Sequence, residues 1–210
     1  MEDVLQQYQL PYDARHPLIC FDERPCFLIG EVGALLPMSP GKAKRYHYEY
    51  ERNGACCVLL AFEPQTGFRY VEVRERRTAV DYAAFMQTLL TRHYPQAEAI
   101  RLVQDNLNTH TPGAFYEVLP AAEAFVLAQR FEPHYTPKKG SWLNMAEIEF
   151  AALSKQCLDR RVPDLPSLRR EVLAWAEQRN EERKTVHWKF CQDHARQKLQ
   201  RHYENVQKFT

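Results

Sequence analysis

Ile100-Arg101-Leu102-Val103-Gln104-Asp105-Asn106-Leu107-Asn108-Thr109-His110 is the stretch on which the reading of the fold turns. Ile100, Leu102 and Val103 make a short apolar run of the kind a buried strand shows, and it stops at an acid followed by polar residues. A carboxylate at the carboxyl end of a central strand lies where α/β sheets build their sites, in the crevice beyond the strand ends. Two further acids stand in comparable places. Leu18–Phe21 reads as an apolar strand that delivers Asp22, and a helix-like run holds Glu147.

Upstream of Ile100 the pattern is that of strands. Glu23-Arg24-Pro25 interrupts the first, and Cys26–Val32 resumes as a second. Pro37–Gly41 marks a loop, and Lys42-Ala43-Lys44-Arg45-Tyr46-His47-Tyr48-Glu49-Tyr50 alternates as a strand with one exposed face. Asn53-Gly54 is a hairpin signal. Ala55–Phe62 and Phe68–Val73 read as strands around the turn Pro64–Gly67. Residues 1–17, with Pro11, Pro17 and few apolar residues, read as an arm or linker remnant, too short for a helix-turn-helix domain.

From Thr78 the period changes. Thr78-Ala79-Val80-Asp81 has the layout of a capping box, and the helix after it carries Tyr82, Phe85, Met86, Leu89 and Leu90 before Pro95. Beyond the Ile100 strand come helical stretches from Thr111 to Leu119 and from Ala121 to Phe131, a short strand His134–Thr136, and the loop Pro137-Lys138-Lys139-Gly140. Ser141 is placed to cap a helix whose stripe is Leu143, Ala146, Phe150, Leu153 and Cys157. Leu168–Arg183 is a further amphipathic helix, and 192–208 a polar terminal one. Strands first, then helix-strand repeats, then helices describe an α/β (α+β) mixed sheet compatible with a ribonuclease-H-like layout.

Composition narrows the classes. At 210 residues, 45% hydrophobic, the chain is one domain or one domain with an appendage. No stretch approaches the ~20 apolar residues of a membrane span, and the start lacks the basic-then-apolar plan of a secretory signal. The expectation is a soluble cytoplasmic, nucleoid-associated protein with no membrane partner. The six cysteines form no C-x-x-C pair and read as buried hydrophobes rather than zinc ligands. The net charge of +1 hides an asymmetry: residues 151–210 hold 13 Lys+Arg against 8 Asp+Glu, leaving 15 against 19 in residues 1–150. That balance suits a metal-carboxylate centre beside a polyanion-binding surface, and equally the solvation of helix faces.

Three separated acids at element ends are what a two-metal phosphoryl-transfer site needs, since hard divalent ions take oxygen ligands. Among 27 acids, spacing alone does not single out three. The wording around them does. Asp105-Asn106 leading to His110, His134-Tyr135-Thr136-Pro137, Trp142-Leu143-Asn144-Met145-Ala146-Glu147 and Cys20-Phe21-Asp22-Glu23 together resemble the DDE transposases of the mariner superfamily, bacterial insertion-sequence 630 type, from about Leu18 to about Arg183. The helix pattern leaves Glu147 and Glu149 open; the resemblance takes Glu147, three residues after Asn144.

The resemblance implies a ribonuclease-H-like catalytic domain over 18–183 with a basic helical tail over 184–210. Its activity would be Mg²⁺-dependent (or Mn²⁺-dependent) DNA cleavage and strand transfer, with about two ions on Asp22, Asp105 and Glu147. DNA, as transposon ends and target, is the implied partner, acting on a homodimer. Asn106, His110 and Asn144 are auxiliary candidates. Asn106 either places the Asp105 loop or favours its turn. His110 either faces the site or is bonded locally, and Asn144 either orients Glu147 or bonds backbone. Lys42, Lys44, Arg45, Lys138, Lys139 and Trp142 are candidate DNA contacts, each with a solvated or packing alternative. Arg160-Arg161 and Arg169-Arg170 either line a DNA path or solvate helix ends.

Two departures stand out. Asp105 and Glu147 are 42 positions apart, longer than the mariner type, which requires an added helix within Pro112–Phe131. The family's amino-terminal DNA-binding helices have no counterpart in 1–17, so the expectation is a catalytic half, with a helix-turn-helix protein from an upstream frame as its partner. The rival expectations are a degenerate or repurposed DNA-binding protein without cleavage, and a ribonuclease-H-like nuclease unconnected with transposition.

Overall fold

The computed structural model describes residues 1–33, 40–41 and 49–200. Lys42, Lys44 and Arg45, with Tyr46 and Tyr48, lie outside the described residues, as does everything beyond 200. Five strands, β1 (Leu18–Glu31), β2 (Tyr50–Glu63), β3 (Phe68–Arg74), β4 (Ile100–Gln104) and β5 (Phe131–Tyr135), form one sheet in the order β3-β2-β1-β4-β5. The β1–β2 and β2–β3 pairs are antiparallel; β1–β4 and β4–β5 are parallel. The mixed α/β sheet expected from the element order is the one that forms.

Strand alternation divides the apolar residues between two cores. Leu18 and Cys20 of β1, with Val58, Leu60 and Phe62 of β2, face helices α1 (Glu2–Gln9), α4 (Ala146–Gln156), α5 (Leu165–Glu181) and α6 (Gln192–Lys198). Ile19 and Phe21, with Leu59, Ile100 and Leu102, face α2 (Ala79–Thr88), α3 (Ala121–Ala128) and the 3₁₀ turn Pro112–Glu117. The capping box forms as read: the Thr78 hydroxyl accepts from the Asp81 amide at 3.2 Å, and Asp81 accepts from the Thr78 amide at 2.9 Å.

Four local expectations are corrected. Glu23-Arg24-Pro25 does not end a strand; β1 runs through it, paired with β2. β4 leaves β1 after Cys20, and on a free edge a proline costs no ladder bond. Asn53-Gly54 is not a hairpin turn but lies inside β2, where the register shifts opposite Leu28 and Ile29. Asn53 is the extra residue of a bulge and donates to the Pro163 carbonyl at 2.9 Å. Ser141 opens a 3₁₀ turn, and the helix begins at Ala146. Residues 1–17 are not all arm: Glu2–Gln9 is α1, and Val4 and Leu5 are fully buried against the sheet.

Among the described residues no helix is long and apolar enough to cross a membrane. All six cysteines are free, and Cys20, Cys56 and Cys57 are buried.

Candidate active site

Asp22 lies on β1, in step with Leu18 and Cys20 and therefore on the α4 side of the sheet. Its Oδ1 accepts from the Glu23 amide at 2.8 Å. Burial pushes its carboxyl up to about 7; the charges of Glu147 and Asp105 push the same way, against that amide and His110. The three acids come from a strand, the end of the neighbouring strand and a helix. Asp22, Arg24, Glu147 and Phe150 line a cleft of about 360 Å³.

α4 begins at Ala146, so Glu147 stands in its first turn, exposed at the cleft. Glu149, two residues on, points into the core. It is fully buried and ion-paired with Arg69, and Arg179 donates to both its oxygens at 2.9 and 3.0 Å. Packing separates the two acids that the helix pattern left open: Glu147 is exposed at the cleft, and Glu149 locks α4 to β3 and α5.

Asn144 is buried at the junction. Its Nδ2 donates to the Phe21 carbonyl at 2.8 Å and reaches Asp22 Oδ2 at 3.5 Å, while its Oδ1 accepts from the Ala146 amide at 3.1 Å. It bonds backbone, as one reading had it, and the acid it steadies is Asp22. The Tyr8 hydroxyl of α1 donates to the Leu143 carbonyl at 2.6 Å, a support from the first helix that the sequence gave no sign of.

Asp105 follows β4, whose end is held by Thr136 N–H on the Gln104 carbonyl at 2.9 Å. Its Oδ1 lies 2.6 Å from His110 Nδ1. His110 is buried between Phe21 and Tyr82, and its Nε2 faces the Glu23 carboxylate at 3.5 Å without a hydrogen-bond partner. Burial alone would discharge this imidazole, but Asp105 and Glu23 outweigh it and hold its pKa up at about 9. His110 therefore clamps the second acid rather than facing open solvent. Glu23 belongs to this clamp and also meets Arg77 at 3.2 Å. Strand parity carried the signal: adjacent residues 22 and 23 must face opposite sides of the sheet. His110→Ala is expected to lower metal-dependent activity about 10–100-fold, the usual cost of losing a group that orients a ligand. An unchanged rate at every metal concentration would remove His110 from the site.

Asn106 is exposed in the loop after Asp105, and Lys138 and Lys139 are exposed in the loop after β5, Lys139 with φ 64°. Trp142 is 49% exposed and meets Trp188 and Phe190. Arg161 is drawn onto Glu31 at 2.6 Å and Arg160 onto Glu171 at 2.6 Å, the solvated-face alternative for that pair.

Among the described residues, no group of three or more His, Cys, Asp or Glu side chains is set closely enough to hold a metal ion. The chemistry of the donors, all carboxylate oxygens, is that of a hard divalent cation's ligands. Burial, and after it the charges of Glu147 and Asp105, hold the Asp22 carboxyl up, and a bound cation would offset that charge.

A family model described as DDE superfamily endonuclease matches residues 17–169. No curated protein sequence matches the chain. Among solved structures, it is similar to the Mos1 strand transfer complex (TM-score 0.58, 16% identity, 86% of this chain and 52% of that one). It is also similar to the Mos1 mariner paired end complex with Mn (TM-score 0.57, 18% identity, 86% and 54%). The Mos1 transposase paired-end complex with left transposon end gives TM-score 0.56 and 18% identity, over 83% and 51%. The chain spans about half the length of these proteins, and the likeness at this identity is one of fold.

Proposed function

Because the chain belongs to the DDE superfamily endonucleases, we propose that it is the catalytic part of a transposase that cuts DNA and transfers strands with Asp22, Asp105 and Glu147 as its metal-binding acids. The observation that carries this reading is that Asp22 of β1 and Glu147 in the first turn of α4 line one cleft, while Asp105 follows the end of β4, the strand paired with β1. It is supported by the fold shared with Mos1 proteins solved with a transposon end and in a strand transfer complex.

Mg²⁺ or Mn²⁺, about two ions, would supply charge that activates the attacking oxygen and stabilises the leaving one. Water attacks a phosphodiester first, and the freed 3′-hydroxyl then attacks target DNA. In this scheme Asp22 is steadied by Asn144, Asp105 is clamped by His110, and Glu147 is presented by the first turn of α4. Lys138 and Lys139 lie on an exposed loop suited to phosphate. The catalytic unit is 18–183 and the basic tail 184–210. The remaining assignments are the insertion-sequence 630 type, a homodimer on DNA, an upstream-frame helix-turn-helix partner and a place at the nucleoid.

The test is nicking of supercoiled and transposon-end DNA in Mg²⁺ and Mn²⁺ by the unmodified chain, Asp105→Ala and Glu147→Gln. Cleavage in the unmodified chain and background in both variants is expected. Cleavage unchanged in both variants sinks the assignment. DNA binding without cleavage in any chain, even when fused to end-binding helices, favours a repurposed binding protein.

A further inference from the structure

Trp142 is not absorbed by the catalytic reading. It lies in the turn Ser141–Leu143, two residues before Asn144, whose amide reaches Asp22. Consecutive Cα atoms are 3.8 Å apart, so Trp142 stands within about 8 Å of Asn144 along the backbone. Trp142 is 49% exposed, so part of its side chain is open to a ligand.

Its neighbours come from the C-terminal segment. Trp188 lies near-parallel to it, with centroids 6.5 Å apart at 23°, and Phe190 meets its edge at 5.7 Å. His194 stacks on Phe190 at 6.3 Å and 28°, and Lys198 Nζ lies 5.8 Å above the same ring. The segment is tied down to α1, where Gln192 donates to the Glu2 carbonyl at 3.0 Å and Arg196 pairs with the Glu2 carboxylate at 2.7 Å. The result is a set of packed aromatic rings with a lysine over one of them, joined through Trp142 to the Asn144 that reaches Asp22. Exposed Lys138 and Lys139 stand in the loop that leads to Trp142.

We infer that Trp142, braced by Trp188 and Phe190 and with Lys198 close by, forms a platform for an unpaired nucleotide of the DNA strand that enters the catalytic cleft. The inference rests on the DNA-cleaving function proposed above and names the form of DNA that the site prefers. Aromatic faces take any unstacked base, and a nearby cation takes its phosphate. Bases inside a duplex have both faces occupied by their neighbours, so the platform discriminates in favour of a single-stranded tail or a frayed end.

The experiment uses the full chain in a chelator, so that cleavage does not intervene. Two probes are compared: a blunt duplex, and the same duplex with a single-stranded 3′ tail carrying 2-aminopurine. The tail is expected to bind more tightly and its fluorescence to be quenched. Trp142→Ala is expected to weaken tail binding about tenfold or more, the size of one lost base–aromatic stack. Trp142→Phe is expected to keep most of the binding, and blunt-duplex affinity is expected to stay unchanged. Lys198→Ala is expected to flatten the salt dependence of tail binding by roughly 0.7 in log–log slope, one phosphate contact on a single strand. Quenching in the unmodified chain does not depend on how any variant folds. An unquenched tail, or an equal loss of both probes in Trp142→Ala, overturns the platform. If the blunt duplex is bound and cut in Mn²⁺ while the tail shows no preference, the platform alone falls. If neither probe binds, the platform falls, while the proposed function stands or falls on the nicking assay.

Discussion

Asp22→Asn is expected to abolish metal-dependent cleavage and, in a chelator, to make the protein more stable. The two outcomes share one cause. A carboxyl held at about 7 by burial and by the charges of Glu147 and Asp105 is a group that folding has forced toward its neutral form. Its ordinary value is about 3.9. The folded state therefore binds the proton more tightly than the unfolded chain, and stability falls as pH rises from about 4 to about 7. Above pH 7 the ionised carboxylate stays in place at a cost whose ceiling is about 4 kcal/mol. Solvent at the cleft and the Glu23 amide reduce that ceiling, so the amide side chain should gain about 1–2 kcal/mol at pH 8 and nothing near pH 4. Urea unfolding of both chains across that range measures it. Mn²⁺ should reverse the order, because a ligand of the native state adds stability only to the chain that binds it. Parallel stability curves for the two chains, with the same response to Mn²⁺, would remove Asp22 from any metal centre.

What the sequence could and could not disclose follows from the range of the forces involved. The Thr78–Asp81 cap is made within one helical turn, and it was legible. So were the Ile100–Gln104 strand and its terminal acid, because Ile100, Leu102 and Val103 form a short apolar cluster that stops at Asp105, although Arg101 and Gln104 are buried with them. Pro25 and Gly54 misled because each is a local breaker whose consequence is set by a distant partner. β2 carries β1 past Pro25, and a bulge rather than a turn takes up Asn53. α1 was missed because Val4, Leu5 and Tyr8 are too few to mark a helix. Their stabilising contacts lie far away in the chain, as with the Tyr8 hydroxyl on Leu143. The expected extra element between Asp105 and Glu147 is present as a 3₁₀ turn and α3, which cover the second core. In the sequence Glu23 is only the residue after Asp22. Parity had already put it on the other face of the sheet, and only the fold brings His110 there.

Glu149→Ala is expected to cost about 3–5 kcal/mol of stability, because it strands a buried charge. The Arg69 side chain has no exposed surface and gives its guanidinium to Glu149 and to the Lys184 carbonyl at 2.6 Å. With the carboxylate gone, the cation remains in a low-dielectric interior. Arg69→Met combined with Glu149→Leu should recover part of the loss, not all of it, since the Lys184 carbonyl then lacks its donor. The pH dependence has a defined sign. Burial alone would raise the Glu149 carboxyl, but Arg69 and Arg179 outweigh it and hold it below the usual range. Its contribution is therefore fully present above the unfolded value of about 4.3 and is lost as pH falls through the lower folded value. Glu149→Gln should lack that acid-side decline. Glu147 provides the comparison. Residues two apart on a helix point about 200° from each other, and Glu147 is exposed at the cleft. Glu147→Gln should therefore leave the urea midpoint nearly unchanged, within about 0.5 kcal/mol, while removing cleavage. Two acids of one turn would then separate cleanly, one in the chemistry and one in the fold. A stability loss at Glu147 equal to that at Glu149 would mean that α4 presents its acids the other way round.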